Sequence, residues 1–77
     1  MAYDLEIKMR GHVYIVRAIP DEAAAHRSIR DYLLAWGINI LVSDGLRDIT
    51  LFAKELADTG AFRGNALDAE ITVTRTP

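Results

Sequence analysis

A chain of 77 residues, 51% hydrophobic and with a formal charge of −2, has the size and composition of one globular domain, taken as residues 1–77. It has no Cys and two His, which excludes a disulfide framework and a thiolate metal site, so packing or association must stabilise a domain of marginal size. The acidic balance argues against binding nucleic acid through its phosphates, and nothing in the sequence asks for a cofactor or a metal.

The opening residues, Met1 to Glu6, carry acid where a signal peptide would carry an apolar run. The longest uncharged stretch, Tyr32 to Ser43, is too short to span a bilayer. We therefore expect a cytoplasmic protein with no membrane partner. Seven Arg stand against two Lys, and Ala is abundant, which is the composition of a GC-rich bacterial or phage genome. Arg is also the cation enriched at protein interfaces.

In chain order, Tyr3, Leu5, Ile7 and Met9 alternate with Asp4, Glu6, Lys8 and Arg10, the period-2 pattern of a half-buried strand. Arg10-Gly11 makes a two-residue turn into a second strand, His12 to Ile19. That turn sets Met9 opposite His12, Ile7 opposite Tyr14, Leu5 opposite Val16 and Tyr3 opposite Ala18, eight residues expected on the inner face. The outer face then holds Asp4, Glu6, Lys8, Val13, Ile15, Arg17 and Ile19, with Asp4 opposite Arg17. Val13 and Ile15 are the anomaly, apolar side chains beside Lys8 and Glu6.

Asp21 caps a helix in which Ala25, Ile29, Tyr32, Leu33 and Trp36 form the buried stripe, and Gly37 stops it. Glu22, His26, Arg27, Arg30 and Asp31 fall on its wet side. Residues 38–43 suit a short strand by length and β-branching, with a tight connection between helices as the competing reading. Ser43 or Asp44 is then expected to cap a second helix running to about Thr59, with Leu46, Ile49, Phe52, Ala53 and Leu56 inward and Gly60 at its end. Ala61 to Ala66 suggests a loop turning at Gly64-Asn65. Leu67, Ala69, Ile71 and Val73 alternate with polar residues in a last strand, before a frayed Arg75-Thr76-Pro77. The expected fold is α+β, a two-layer sandwich of order ββα(β)αβ, with a small, mainly antiparallel sheet and two helices on one face.

The polar constellations have structural explanations. Glu22, His26 and Arg30 share the spacing of exposed helix ion pairs and lack a nearby nucleophile. His12 is a turn residue without a second ligand beside it. Asp44 and Asp48 suit a helix start better than a calcium loop, and an acid at Asp44 is the wrong charge for a phosphate site. A chain this short is also expected to lack a ligand pocket of ~300 Å³, so we expect no enzyme. Arg27, Arg30 and Arg47, with Tyr14 or Tyr32 to stack on bases, form a possible nucleic-acid surface, opposed by the acids around them. Trp36 serves either as a lid on the core or as an interface anchor.

The hairpin followed by Ile19-Pro20-Asp21-Glu22-Ala23-Ala24-Ala25 at a helix start resembles small phage and mobile-element proteins in plan and composition. Anti-CRISPR inhibitors, compact acidic α+β domains that block a bacterial nuclease complex, are one such group. The resemblance implies a non-catalytic protein that acts by binding a larger protein or complex; it assigns no functional residues. From the residues themselves, the expected binding positions are Glu6, Lys8, Val13, Ile15 and Arg17 on the outer sheet face and Arg27 and Arg30 on the helix. A homodimer through the edge of the hairpin is one form of that partnership, and a small nucleic-acid-binding or regulatory domain using Arg27, Arg30 and Arg47 is the alternative.

Overall fold

Alternation and turn chemistry build the first hairpin, β1 (Ala2–Met9) and β2 (His12–Ile19), in a computed structural model that describes residues 2–43 and 45–76. Arg10 and Gly11 both take positive φ, 48° and 80°, the mirror-image turn that matches strand twist. The register then follows the spacing, with Met9 opposite His12, Lys8 opposite Val13, Ile7 opposite Tyr14, Glu6 opposite Ile15 and Leu5 opposite Val16.

Beyond that point β2 carries one extra residue, and Tyr3 pairs with Ile19 where spacing alone predicts Ala18. Ala18 sits at φ 57°, and its N–H donates to the Asp4 carboxylate at 3.2 Å. Arg17 approaches the other Asp4 oxygen at 3.6 Å, so the expected ion pair forms across a β-bulge. The bulge turns Ile19 into the core and leaves Ala18 exposed, reversing both expected positions. His12 is exposed as well, and Tyr14 and Val16 are only half-buried, because β2 lies at the edge of the layer.

Helix α1 (Glu22–Ala35) starts as expected, with Asp21 accepting the Ala24 N–H at 2.8 Å. It ends in a Schellman turn: Gly37 at φ 77° donates to Leu34, and Ile38 donates to Leu33. The chain then folds back over the core. Ile38 and Ile40 are buried there, and residues 40–42 form a single 3-10 turn (Ile40–Val42), so the expected strand at 38–43 is absent.

The second helix, α2 (Ile49–Thr59), begins later than Ser43 or Asp44 would set it. Its cap is Asp48, which accepts the N–H groups of Thr50 and Leu51. Asp44 lies outside the described residues. Leu46 reaches the core from the non-helical segment, Phe52 and Leu56 from the helix, and Ile49 points outward.

Residues 61–66 form a strand, β3 (Ala61–Ala66), where a loop was expected, and β4 (Ala69–Thr76) follows. Gly64 breaks no strand: a Cβ there would sit 2.9 Å from the buried Phe62 ring, which lies across it. The turn is Leu67-Asp68, with Leu67 at φ 55° and exposed. Arg75 and Thr76 belong to β4, where Ala2 pairs with Thr76 and the Arg75 guanidinium donates to the Leu56 and Ala57 carbonyls at the end of α2.

The architecture is α+β, one antiparallel sheet of order β2-β1-β4-β3 with both helices packed on one face. Leu5, Ile7, Ile71 and Val73 from the central strands meet Ile29, Leu33, Phe52 and Leu56 from the helices in a single core.

Candidate protein interface on the open sheet face

The face opposite the helices is uncovered. On it Val13 lies opposite Lys8, and Lys8 opposite Glu70 of β4; Ile15 lies opposite Glu6, and Glu6 opposite Thr72. Arg63 and Asn65 of β3 extend the rows with further polar side chains. Against this background Val13 is 58% exposed and Ile15 47%. Lys8 pairs along its strand with Glu6 at 3.7 Å. A shallow depression of about 200 Å³ opens between Asp4, Glu6, Ile15, Arg17, Thr72 and Thr74. Glu6, Lys8, Val13, Ile15 and Arg17 are thus brought together as the spacing predicted.

The helical side of the same edge holds an aromatic ladder that sequence reading missed. Tyr14 stacks on Tyr32 with centroids 4.1 Å apart and planes 9° from parallel. Trp36 meets Tyr32 edge-on at 6.4 Å and the His12 ring at 5.2 Å. The Arg10 guanidinium lies 5.8 Å from the Trp36 centroid while its Nε donates to Asp68 at 2.8 Å. That bond holds the Asp68 carboxyl below its ordinary range. The available signal was Tyr32 and Trp36 one turn apart on α1, facing a strand with Tyr14 and His12 two apart. Trp36 is therefore a half-buried lid packed against the core at the C-terminal end of α1.

Arg27 and Arg30 are exposed on α1, in the helical layer, and do not join the outer-face group. Arg30 bonds Asp31 at 3.2 Å, and Arg47 is exposed ahead of α2. Tyr14 and Tyr32 occupy each other's faces.

His26, expected on the wet side, is buried: its Nε2–H donates to the Leu46 carbonyl at 2.6 Å, and its ring meets Phe52 edge-on at 5.3 Å. The segment leading into α2 folds back over α1 and covers it. Among the described residues no three His, Cys, Asp or Glu side chains converge as a metal site would require. The expectation that so short a chain leaves no pocket is also corrected. An open trough of about 470 Å³ runs along α2, lined by Gly45, Leu51, Lys54, Glu55, Asp58 and Thr59. The Thr59 hydroxyl is already engaged with the Glu55 and Ala61 carbonyls.

Fold and surface together define a small two-layer α+β domain whose sheet has one open face and an edge strand with apolar side chains on both sides. The chain matches no protein-family model, no curated protein and no solved structure.

Proposed function

We propose that this chain is a non-catalytic binding protein that covers a surface of a larger protein with the outer face of β2. The observation that carries this reading is the exposure of Val13 and Ile15, adjacent on one face of an edge strand in an otherwise polar sheet surface. Folding gains little from wet apolar side chains, whereas burying this pair against a partner contributes ~2–4 kcal/mol. Glu6, Lys8 and Arg17 supply the polar rim that specific interfaces place around an apolar centre. In its finer form the reading is an inhibitor of a bacterial defence complex, of the anti-CRISPR kind, carried by a phage or mobile element and acting in the cytoplasm.

The test is the Val13→Asp, Ile15→Lys double variant. It is expected to keep its circular dichroism spectrum and melting temperature and to lose the partner that the wild-type chain retains in a pull-down from bacterial lysate. A folded variant that still binds places the interface elsewhere. Salt-sensitive retardation of random DNA or RNA by the wild type would move the reading to a nucleic-acid-binding domain using Arg27, Arg30 and Arg47.

A further inference from the structure

We infer that β2 pairs antiparallel with β2 of a second copy of this chain, about a twofold axis through Tyr14, joining two four-stranded sheets edge to edge. The inference rests on reading β2 as the interaction element and goes beyond it by assigning its free backbone edge, distinct from its outer face, to a second copy in one register.

The two edges of the sheet are unlike. β3 has six residues, with Arg63 and the small Gly64 at its middle. β2 has eight, and from His12 to Val16 it contains no Pro, no Lys and no charge, the devices that protect natural edges. Its bulge, at Arg17 and Ala18, lies beyond that stretch.

Hydrogen-bond phase then restricts what can dock. A two-residue turn closed by Met9 and His12 makes that pair hydrogen-bonded, so His12, Tyr14 and Val16 direct their backbone groups to β1. Val13 and Ile15 direct theirs outward, where only another strand satisfies them in series.

The sequence of β2 is complementary to itself in one such register. With the axis at Tyr14, Val13 pairs with Ile15 of the second copy and Ile15 with its Val13, giving a four-residue apolar stripe on the open face. On the helical side Tyr14 meets Tyr14 of the second copy, and the two aromatic ladders become one. Because the bulge sets two residues of β2 at one position, Arg17 and Ala18 fall opposite Gly11 and Ile19 opposite Arg10, so no like charges face each other. Each Arg keeps its own carboxylate, Asp4 at 3.6 Å and Asp68 at 2.8 Å. Moving the axis to Ile15 would set Arg17 against Val13 and break the apolar pairing. The result is an isologous contact, which closes on itself.

Sedimentation over a range of concentrations is expected to show an 8.6 kDa chain in equilibrium with a species of twice that mass. Val13→Pro withdraws an outward N–H and leaves the β1 ladder intact. It is expected to remain folded and become monomeric, and dimers persisting in it would overturn the inference. As the chain has no Cys, Tyr14→Cys carries one thiol at a non-hydrogen-bonded pair with Cα atoms ~4.5 Å apart, within disulfide reach. Mild oxidation should cross-link it in high yield and leave Ile15→Cys largely uncross-linked; the reverse yields would overturn the register. A wild type that is monomeric at every concentration up to its solubility limit also overturns the inference, yet leaves the proposed function standing if the lysate partner is still lost in the Val13→Asp, Ile15→Lys variant. Conversely, a wild-type dimer together with a Val13→Asp, Ile15→Lys variant that still binds the lysate partner sinks the proposed function and spares the dimer.

Discussion

His26 turns inward from a helix face on which Arg27 and Arg30 are exposed. Its Nε2–H is what the Leu46 carbonyl accepts, and its ring fills space beside Phe52. Removing it leaves a buried acceptor without a donor and a void against an aromatic ring, so His26→Ala is expected to cost ~1–3 kcal/mol. In a domain of this length each kcal/mol lowers the melting temperature by ~4–8 °C. A urea midpoint equal to that of the wild type would show that the bond contributes nothing. Leu67 and Ala18 show another single-residue compromise, non-glycine residues held at positive φ where the hairpin turn and the bulge demand it.

At the scale of elements, the ends of the helices are set by side chains reaching back to the backbone. Asp21 and Asp48 satisfy N–H groups at the two starts, and Arg75 donates to carbonyls at the end of α2 from the neighbouring strand. Because Asp48 bonds two N–H groups, Asp48→Ala is expected to cost ~1 kcal/mol, read as a lower melting temperature by circular dichroism with the folded spectrum unchanged. A melting temperature unaltered by the change would show that the Asp48 cap contributes nothing to stability. The bulge belongs to this scale too: Asp4 holds the Ala18 N–H and the Arg17 guanidinium together, and the extra residue brings Ile19 into the core.

Across the whole molecule the two hairpins are joined through the β1–β4 ladder and through Arg10 to Asp68, which links their turns. Two titrations bound the pH range of this assembly. Burial raises the Tyr3 phenol above its ordinary value, and the Glu22 carboxylate reinforces the shift while Arg75 partly opposes it. A raised folded value keeps its stabilisation below ~pH 10 and loses it as pH rises through the folded value. Asp68 is depressed, so its contribution is present above ~pH 4 and fades as pH falls through the lowered value. Urea midpoints measured from pH 8 to 11 should therefore fall at the alkaline end, and Tyr3→Phe should flatten that fall. An equal fall in Tyr3→Phe would assign it to other groups.

Local chemistry alone determined the first hairpin, its register as far as Val16, the start and stop of α1, the end of α2 at Gly60, and the exposed pair Val13 and Ile15. Alternation, a turn residue tolerant of positive φ and a capping carboxylate act over a few residues and need no partner from elsewhere in the chain. Only the tertiary structure decided the rest. Whether residues 38–43 extend as a strand depends on a free sheet edge within reach; the Schellman turn at Gly37 instead directs Ile38 and Ile40 into the core. Gly64-Asn65 has the local signature of a turn, yet Gly64 is needed there because the Phe62 ring, held against Phe52, lies over it. His26 has the spacing of a surface ion pair, and the segment carrying Leu46 covers it. In each case a contact between residues distant in sequence outweighed a local preference of smaller free energy, a preference that tertiary packing routinely overrides.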